Sequence, residues 1–191
     1  MTALFWCAGA LMLSAVLVIC YAVIAVGTDD DDELQLEDVP VVRVKEYVVR
    51  YPVPLDDALQ QYVLDQASSK GISAAVVFAV IAKESDFNPD LVGDGGKSFG
   101  LMQIMASEHT ERCIRLNAYN LLNPYQNVSV GIDYLAELMD ENRGLEWALM
   151  AYNGGPGYAD RMTEAGKVSD YAVEVARMAE CFFEGLQVVE K

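Results

Sequence analysis

The chain is 191 residues long with a formal net charge of −16, which leaves room for one globular domain and an appendage. From Leu55 onward 21 acidic residues stand against 10 basic ones, so nothing there is equipped to neutralise phosphates, and a nucleic-acid partner is excluded. One histidine, His109, and 4 cysteines without a Cys-x-x-Cys pair exclude a metal site built on His and Cys.

The appendage comes first. From Ala3 to Val26 every residue is apolar or small and none is charged, apart from the lone hydroxyl of Ser14 and the ring of Tyr21. A helix of that length spans roughly 36 Å, enough to cross a hydrocarbon core of about 30 Å. No Lys or Arg precedes the run, and it is longer than the core of a signal peptide. This predicts a single transmembrane anchor over residues 3–27, although Ala25-Val26-Gly27 leaves a weak cleavage site. The first basic residue is Arg43, so orientation is poorly specified by flanking charge. Asp29 to Asp38 carries seven acids, and Val39 to Pro54 contains Pro40, Pro52 and Pro54, which argue against a central strand. Residues 28–54 therefore read as an acidic, Pro/Val-rich stalk with at most a short edge strand.

The rest, 55–189, reads as helices. Leu55, Leu59, Tyr62 and Val63 trace one stripe up to the turn at Gly71. Ser73 is placed to cap a second helix, whose nine consecutive apolar residues Ala74 to Ala82 predict burial on all sides. Asn88-Pro89 ends that element, and Val92 to Phe99 is a glycine-rich loop. Further helices are expected over 107–116, 128–142, 145–152 and 169–187. The predicted fold class is all-α. Cys113 and Cys181 are placed either to pair or to remain as two buried thiols.

Glu84 closes the fully apolar helix, where a buried core meets a turn. Desolvation there disfavours the carboxylate and suits the group to general acid work near neutral pH. Taken alone, a helix-end Glu is ordinarily a solvated charge. Its surroundings give it meaning: Glu84-Ser85-Asp86-Phe87-Asn88-Pro89, then Gly100-Leu101-Met102-Gln103, then Ala151-Tyr152-Asn153-Gly154-Gly155, then Tyr171 with Glu174-Val175. These four ordered blocks resemble the soluble lytic transglycosylase family, whose catalytic domain is related to goose-type lysozyme. The resemblance implies a lysozyme-like all-α domain carried on the anchor and stalk. It implies Glu84 as the catalytic acid/base, and Ser85, Met102, Gln103, Tyr152, Asn153 and Tyr171 as substrate-binding residues. Met102 would lie against a sugar face, Gln103 would donate hydrogen bonds, and Tyr171 would bond the Glu84 carboxyl.

The implied activity is cleavage of the MurNAc–GlcNAc bond of peptidoglycan glycan strands to give 1,6-anhydro ends, without metal or cofactor. The catalytic domain would then lie outside the cytoplasm at the cell membrane, its partners being glycan strands and the bilayer. Asp86 and Asp94 are the two acids placed to hold a water and give a hydrolysing muramidase instead. A wall-binding scaffold without turnover is the third reading.

Overall fold

The computed structural model describes residues 47–190, and its helices grow out of the apolar stripes. Helix α1 (Asp57–Ser69) starts where the Asp56 carboxylate accepts from the Leu59 amide at 2.8 Å. Helix α2 (Ala74–Ser85) is the expected buried element, with residues 74–81 all inside the core. Each Val, Ile or Phe so removed from water contributes roughly 1.5–3 kcal/mol. Ser73 begins it with extended backbone, but its hydroxyl makes no cap hydrogen bond. After α3 (Thr110–Arg115), α4 (Pro124–Asp140) begins four residues before the apolar stripe suggests. Asn123 caps it by accepting from the Tyr125 and Gln126 amides at 3.1 and 3.2 Å, with Pro124 in the first turn.

Helices α5 (Leu145–Gly154) and α6 (Pro156–Glu164) meet at Gly155. The sequence conceals α6 because Ala159 is its only buried residue, which leaves no apolar stripe to detect. Ser169 caps α7 (Asp170–Glu184) by accepting from the Ala172 amide at 3.3 Å. That helix stops three residues short of Gln187, because Gln187–Glu190 departs as a strand. Helix α7 packs along α2 and α5, while α4 bridges α1 and α5.

Two small sheets correct the all-α expectation to a mostly helical fold. Strand β1 (Tyr47–Arg50) runs antiparallel to β5 (Gln187–Glu190), with Tyr47 opposite Glu190 and Arg50 opposite Gln187. Strands β2 (Val92–Gly93), β3 (Ser98–Phe99) and β4 (Ile104–Met105) form an antiparallel meander where a plain loop was expected. Two-residue strands are too short to leave an alternating pattern.

The stalk expectation also needs correction over residues 47–54. Tyr51 is buried and its ring lies 4.8 Å from that of Phe78. The buried Gln60 side chain accepts from the Tyr51 amide at 3.0 Å and donates to the Leu55 carbonyl at 2.9 Å. Residues 47–54 thus belong with the folded unit, which Pro52 and Pro54 obscure by arguing against strand. The anchor expected over residues 3–27 and the acidic run lie outside the described residues. Among the described residues no helix is long and apolar enough to cross a membrane. Cys113 is half-buried and Cys181 exposed, and both are free thiols, so they neither pair nor lie buried.

One buried charge organises the far side of α4. Asp133 is 7% exposed and takes hydrogen bonds from Lys70 (2.8 Å), Arg112 (3.0 Å) and Arg115 (2.6 Å), tying α1, α3 and α4 together. Burial works to raise the Asp133 carboxyl, but hydrogen bonds from Arg115 and Lys70 outweigh it and hold the group at about 2. An unfolded Asp titrates at about 3.9. The network's stabilisation is therefore complete above about pH 4 and is lost as pH falls through about 2. Urea unfolding at about pH 5 and about pH 2.5 should show that loss, and Asp133→Asn should flatten the difference.

Candidate active site

Glu84 sits in the last turn of α2, half-buried, where the chain leaves the core. Just past the end of the helix, Asp86 at φ 49° and Phe87 at φ 63° hold left-handed backbone without being glycine. Asp94 (φ 48°) and Gln103 (φ 46°), in the neighbouring hairpin and turn, do the same. Side chains with a Cβ pay for this conformation, and such strain gathers where surrounding structure overrules local preference.

Tyr171, on the first turn of α7, donates its hydroxyl to Glu84 Oε1 at 2.6 Å, the contact expected from the sequence. Burial raises the Glu84 carboxyl above its usual range. The Tyr171 hydrogen bond offsets this in part, the Asp94 charge adds to it, and Lys83 opposes it. Burial also pushes the Tyr171 phenol far up, so it remains a neutral donor. A carboxyl whose burial favours the protonated form, with a fixed hydroxyl against it, is the arrangement a general acid requires.

Tyr152, in the last turn of α5, donates its hydroxyl to the Met102 carbonyl at 2.9 Å. Glu84 acts on it electrostatically, so the two lie near each other. Its ring stands 5.3 Å from that of Tyr134, which stands 4.5 Å from His109. Asn153 follows on the exposed end of α5.

Three expected contacts are corrected. Met102 is 0% exposed and packs over Gly131, where an added Cβ would meet its Sδ at 2.3 Å, so its side chain faces the core and not a sugar. Ser85 is buried, with its hydroxyl 3.1 Å from the Ile81 carbonyl and 2.9 Å from that of Leu101, so it clamps α2 to the turn. Gln103 spends both amide hydrogens on backbone, donating to Leu91 O at 3.1 Å and Gly100 O at 2.8 Å. Hydrogen-bonding capacity read as substrate contact is thus consumed in holding the turn. Motif position does not reveal which way a side chain faces.

Asn127 is the residue that sequence reasoning missed. Fully buried, it accepts from the Met102 amide at 2.7 Å and donates to Phe99 O at 2.6 Å and Leu121 O at 2.9 Å. Gly100, at φ +70°, is required beneath it, because a Cβ would come within 2.5 Å of Leu121 O and 2.6 Å of Asn127 Nδ2. The available signal was a polar side chain on the apolar face of α4. Asp94 is held in the β2–β3 turn by the Ser98 hydroxyl. A polar groove of about 550 Å³ lined by Lys70, Arg115, Asp133, Glu137 and neighbours includes none of these residues.

Residues 61–173 match a family model described as the transglycosylase SLT domain. An endo-type membrane-bound lytic murein transglycosylase A from Enterobacter sp. (strain 638) is 31% identical over 122 residues, 55% of this chain and 60% of that protein. The protein of the same name from Cronobacter sakazakii is 30% identical over 141 residues, 62% of this chain and 69% of its own length. The chain therefore spans only part of the curated relatives it matches. The fold is also similar to a crystal structure of an inactive mutant of lytic transglycosylase Slt from Pseudomonas aeruginosa. The TM-score is 0.51 at 22% identity, covering 66% of this chain and 22% of that one.

Proposed function

The chain belongs to the transglycosylase SLT domain family, and on that premise we propose that it is a peptidoglycan lytic transglycosylase with Glu84 as its acid/base. The observation that carries this reading is the half-buried Glu84 carboxyl with the Tyr171 hydroxyl 2.6 Å away. Glu84 donates its proton to the oxygen bridging MurNAc and GlcNAc, and the bond from that oxygen to MurNAc C1 breaks. The resulting carboxylate takes the proton of the MurNAc C6 hydroxyl, whose oxygen attacks C1 and closes the 1,6-anhydro ring. Glu84 ends protonated, ready for another cycle. Because the nucleophile belongs to the substrate, attack is intramolecular and a second carboxylate is not needed.

Tyr171 keeps the carboxyl oriented, Tyr152 and Asn153 border the cleft from α5, and Gln103 acts by bracing the turn. The relatives named membrane-bound, together with the uncharged run from Ala3 to Val26, support a catalytic domain held at the membrane outside the cytoplasm.

Asp94 favours one alternative. Its charge acts on Glu84, and the Ser98 hydrogen bond fixes its carboxylate in the hairpin turn, so a water held there would convert the reaction to hydrolysis. Digesting purified peptidoglycan and weighing the soluble fragments separates the two. The proposed lyase gives ends one water lighter than hydrolytic products, and Asp94→Asn keeps most of its rate. Ordinary reducing ends, with activity abolished by Asp94→Asn, would establish the hydrolase instead.

A further inference from the structure

Lys83 and Glu174 take no part in the chemistry above, yet they face each other beside it. Lys83 precedes Glu84 in the last turn of α2, and Glu174 lies three residues after Tyr171 on α7, one turn along the same face. The Lys83 ammonium is paired with Glu174 Oε2. Helices α2 and α7 are thus joined twice, once through the acid itself and once through a cation next to it. We propose that the Lys83–Glu174 ion pair is a positioning element of the active site, setting the charge that faces Glu84 and so the pH range in which Glu84 holds its proton. The proposal rests on the reading of Glu84 as proton donor.

The groups facing Glu84 are few. Tyr171 from α7 and Tyr152 from α5 are phenols kept neutral by burial, and Asp94 from the hairpin raises the Glu84 carboxyl. Lys83 is the cation that opposes Asp94, and Glu174 anchors it; an opposite charge so close to the ammonium offsets part of the field it casts. Burial and Asp94 favour the protonated carboxyl, while the Tyr171 hydrogen bond and Lys83 favour the carboxylate that the second, base half of the cycle needs. Both partners are substantially exposed, at 36% and 49%, so the effect is modest and sensitive to salt.

The two partners therefore have opposite influence, which a simple strut between helices would not. Lys83→Met removes a positive charge and destabilises the Glu84 carboxylate, so the midpoint moves up. Glu174→Gln removes a negative charge and moves it down. The full chain, labelled with ¹³C at Glu carboxyls, should show these opposite displacements in the Glu84 titration, and both should collapse in about 1 M salt. On the alkaline limb of the activity profile, Lys83→Met should be about twofold faster than wild type and Glu174→Gln about twofold slower. The reversed pair, Lys83→Glu with Glu174→Lys, preserves the bridge while inverting its field, and should move the midpoint up. Restoration of the wild-type titration by the reversed pair, or equal movement in both single variants, overturns the proposal. Anhydro products with an unmoved Glu84 titration overturn this inference and leave the proposed function standing. Opposite displacements without anhydro products do the reverse.

Discussion

Glu84→Gln is expected to lower glycan cleavage by at least about 10²–10⁴-fold while leaving glycan binding and the fold in place. The amide has the shape of the protonated carboxyl, and its oxygen still accepts the Tyr171 hydroxyl that now lies 2.6 Å from Glu84 Oε1. What it lacks is a proton to give to the bridging oxygen and a carboxylate to take one from the C6 hydroxyl. Both halves of the cycle fail together. Stability should move the other way. Burial raises the Glu84 carboxyl, so the folded state favours the protonated form. That preference stabilises below the unfolded pKa and is lost as pH rises through the folded one. A permanently neutral Gln escapes this loss, and the variant should melt slightly above wild type at neutral pH. Product mass spectrometry, co-sedimentation with insoluble peptidoglycan and a thermal melt read the three quantities. Unchanged lysis by Glu84→Gln would remove Glu84 from the mechanism.

The second large effect is expected far from any reacting atom. Asn127→Leu preserves volume at a fully buried position but strands the Met102 amide and the carbonyls of Phe99 and Leu121. A buried donor or acceptor left without a partner costs about 1–3 kcal/mol, so the variant should lose about 3 kcal/mol or more in urea unfolding. Activity should fall further than stability explains. The Met102 carbonyl is the acceptor of the Tyr152 hydroxyl, and the Leu101 carbonyl in the same turn accepts from Ser85, the neighbour of Glu84. Asn127→Asp keeps the acceptor for the Met102 amide and should lose less. Equal melting of Asn127→Leu and wild type would show that the turn is held by other contacts.

These two residues mark what could and could not be read before the fold was known. Glu84 stood out because an acid closing a nine-residue apolar run is conspicuous, and four ordered blocks gave it partners in the right order. Asn127 gives only a weak signal, one polar side chain among the apolar residues of α4, four positions after the cap residue Asn123. Only burial shows that its amide faces inward. Ser85, Met102 and Gln103 were assigned to the substrate because their motif lines a cleft. In the structure Ser85 and Met102 are buried, and Gln103 donates its amide to the backbone of Leu91 and Gly100.

By itself the sequence determined the helical character of the domain, the burial of α2 and the family. All of these depend on local periodicity, composition and short ordered motifs. Tertiary structure alone decided that Tyr51 belongs to the core, that the glycine-rich loop pairs as strands, and that the Asp94 charge bears on the Glu84 carboxyl. The reason is physical. The charge and hydrogen bonds that set the behaviour of Glu84 come from α5, α7 and the hairpin, and only packing brings those elements together around the end of α2.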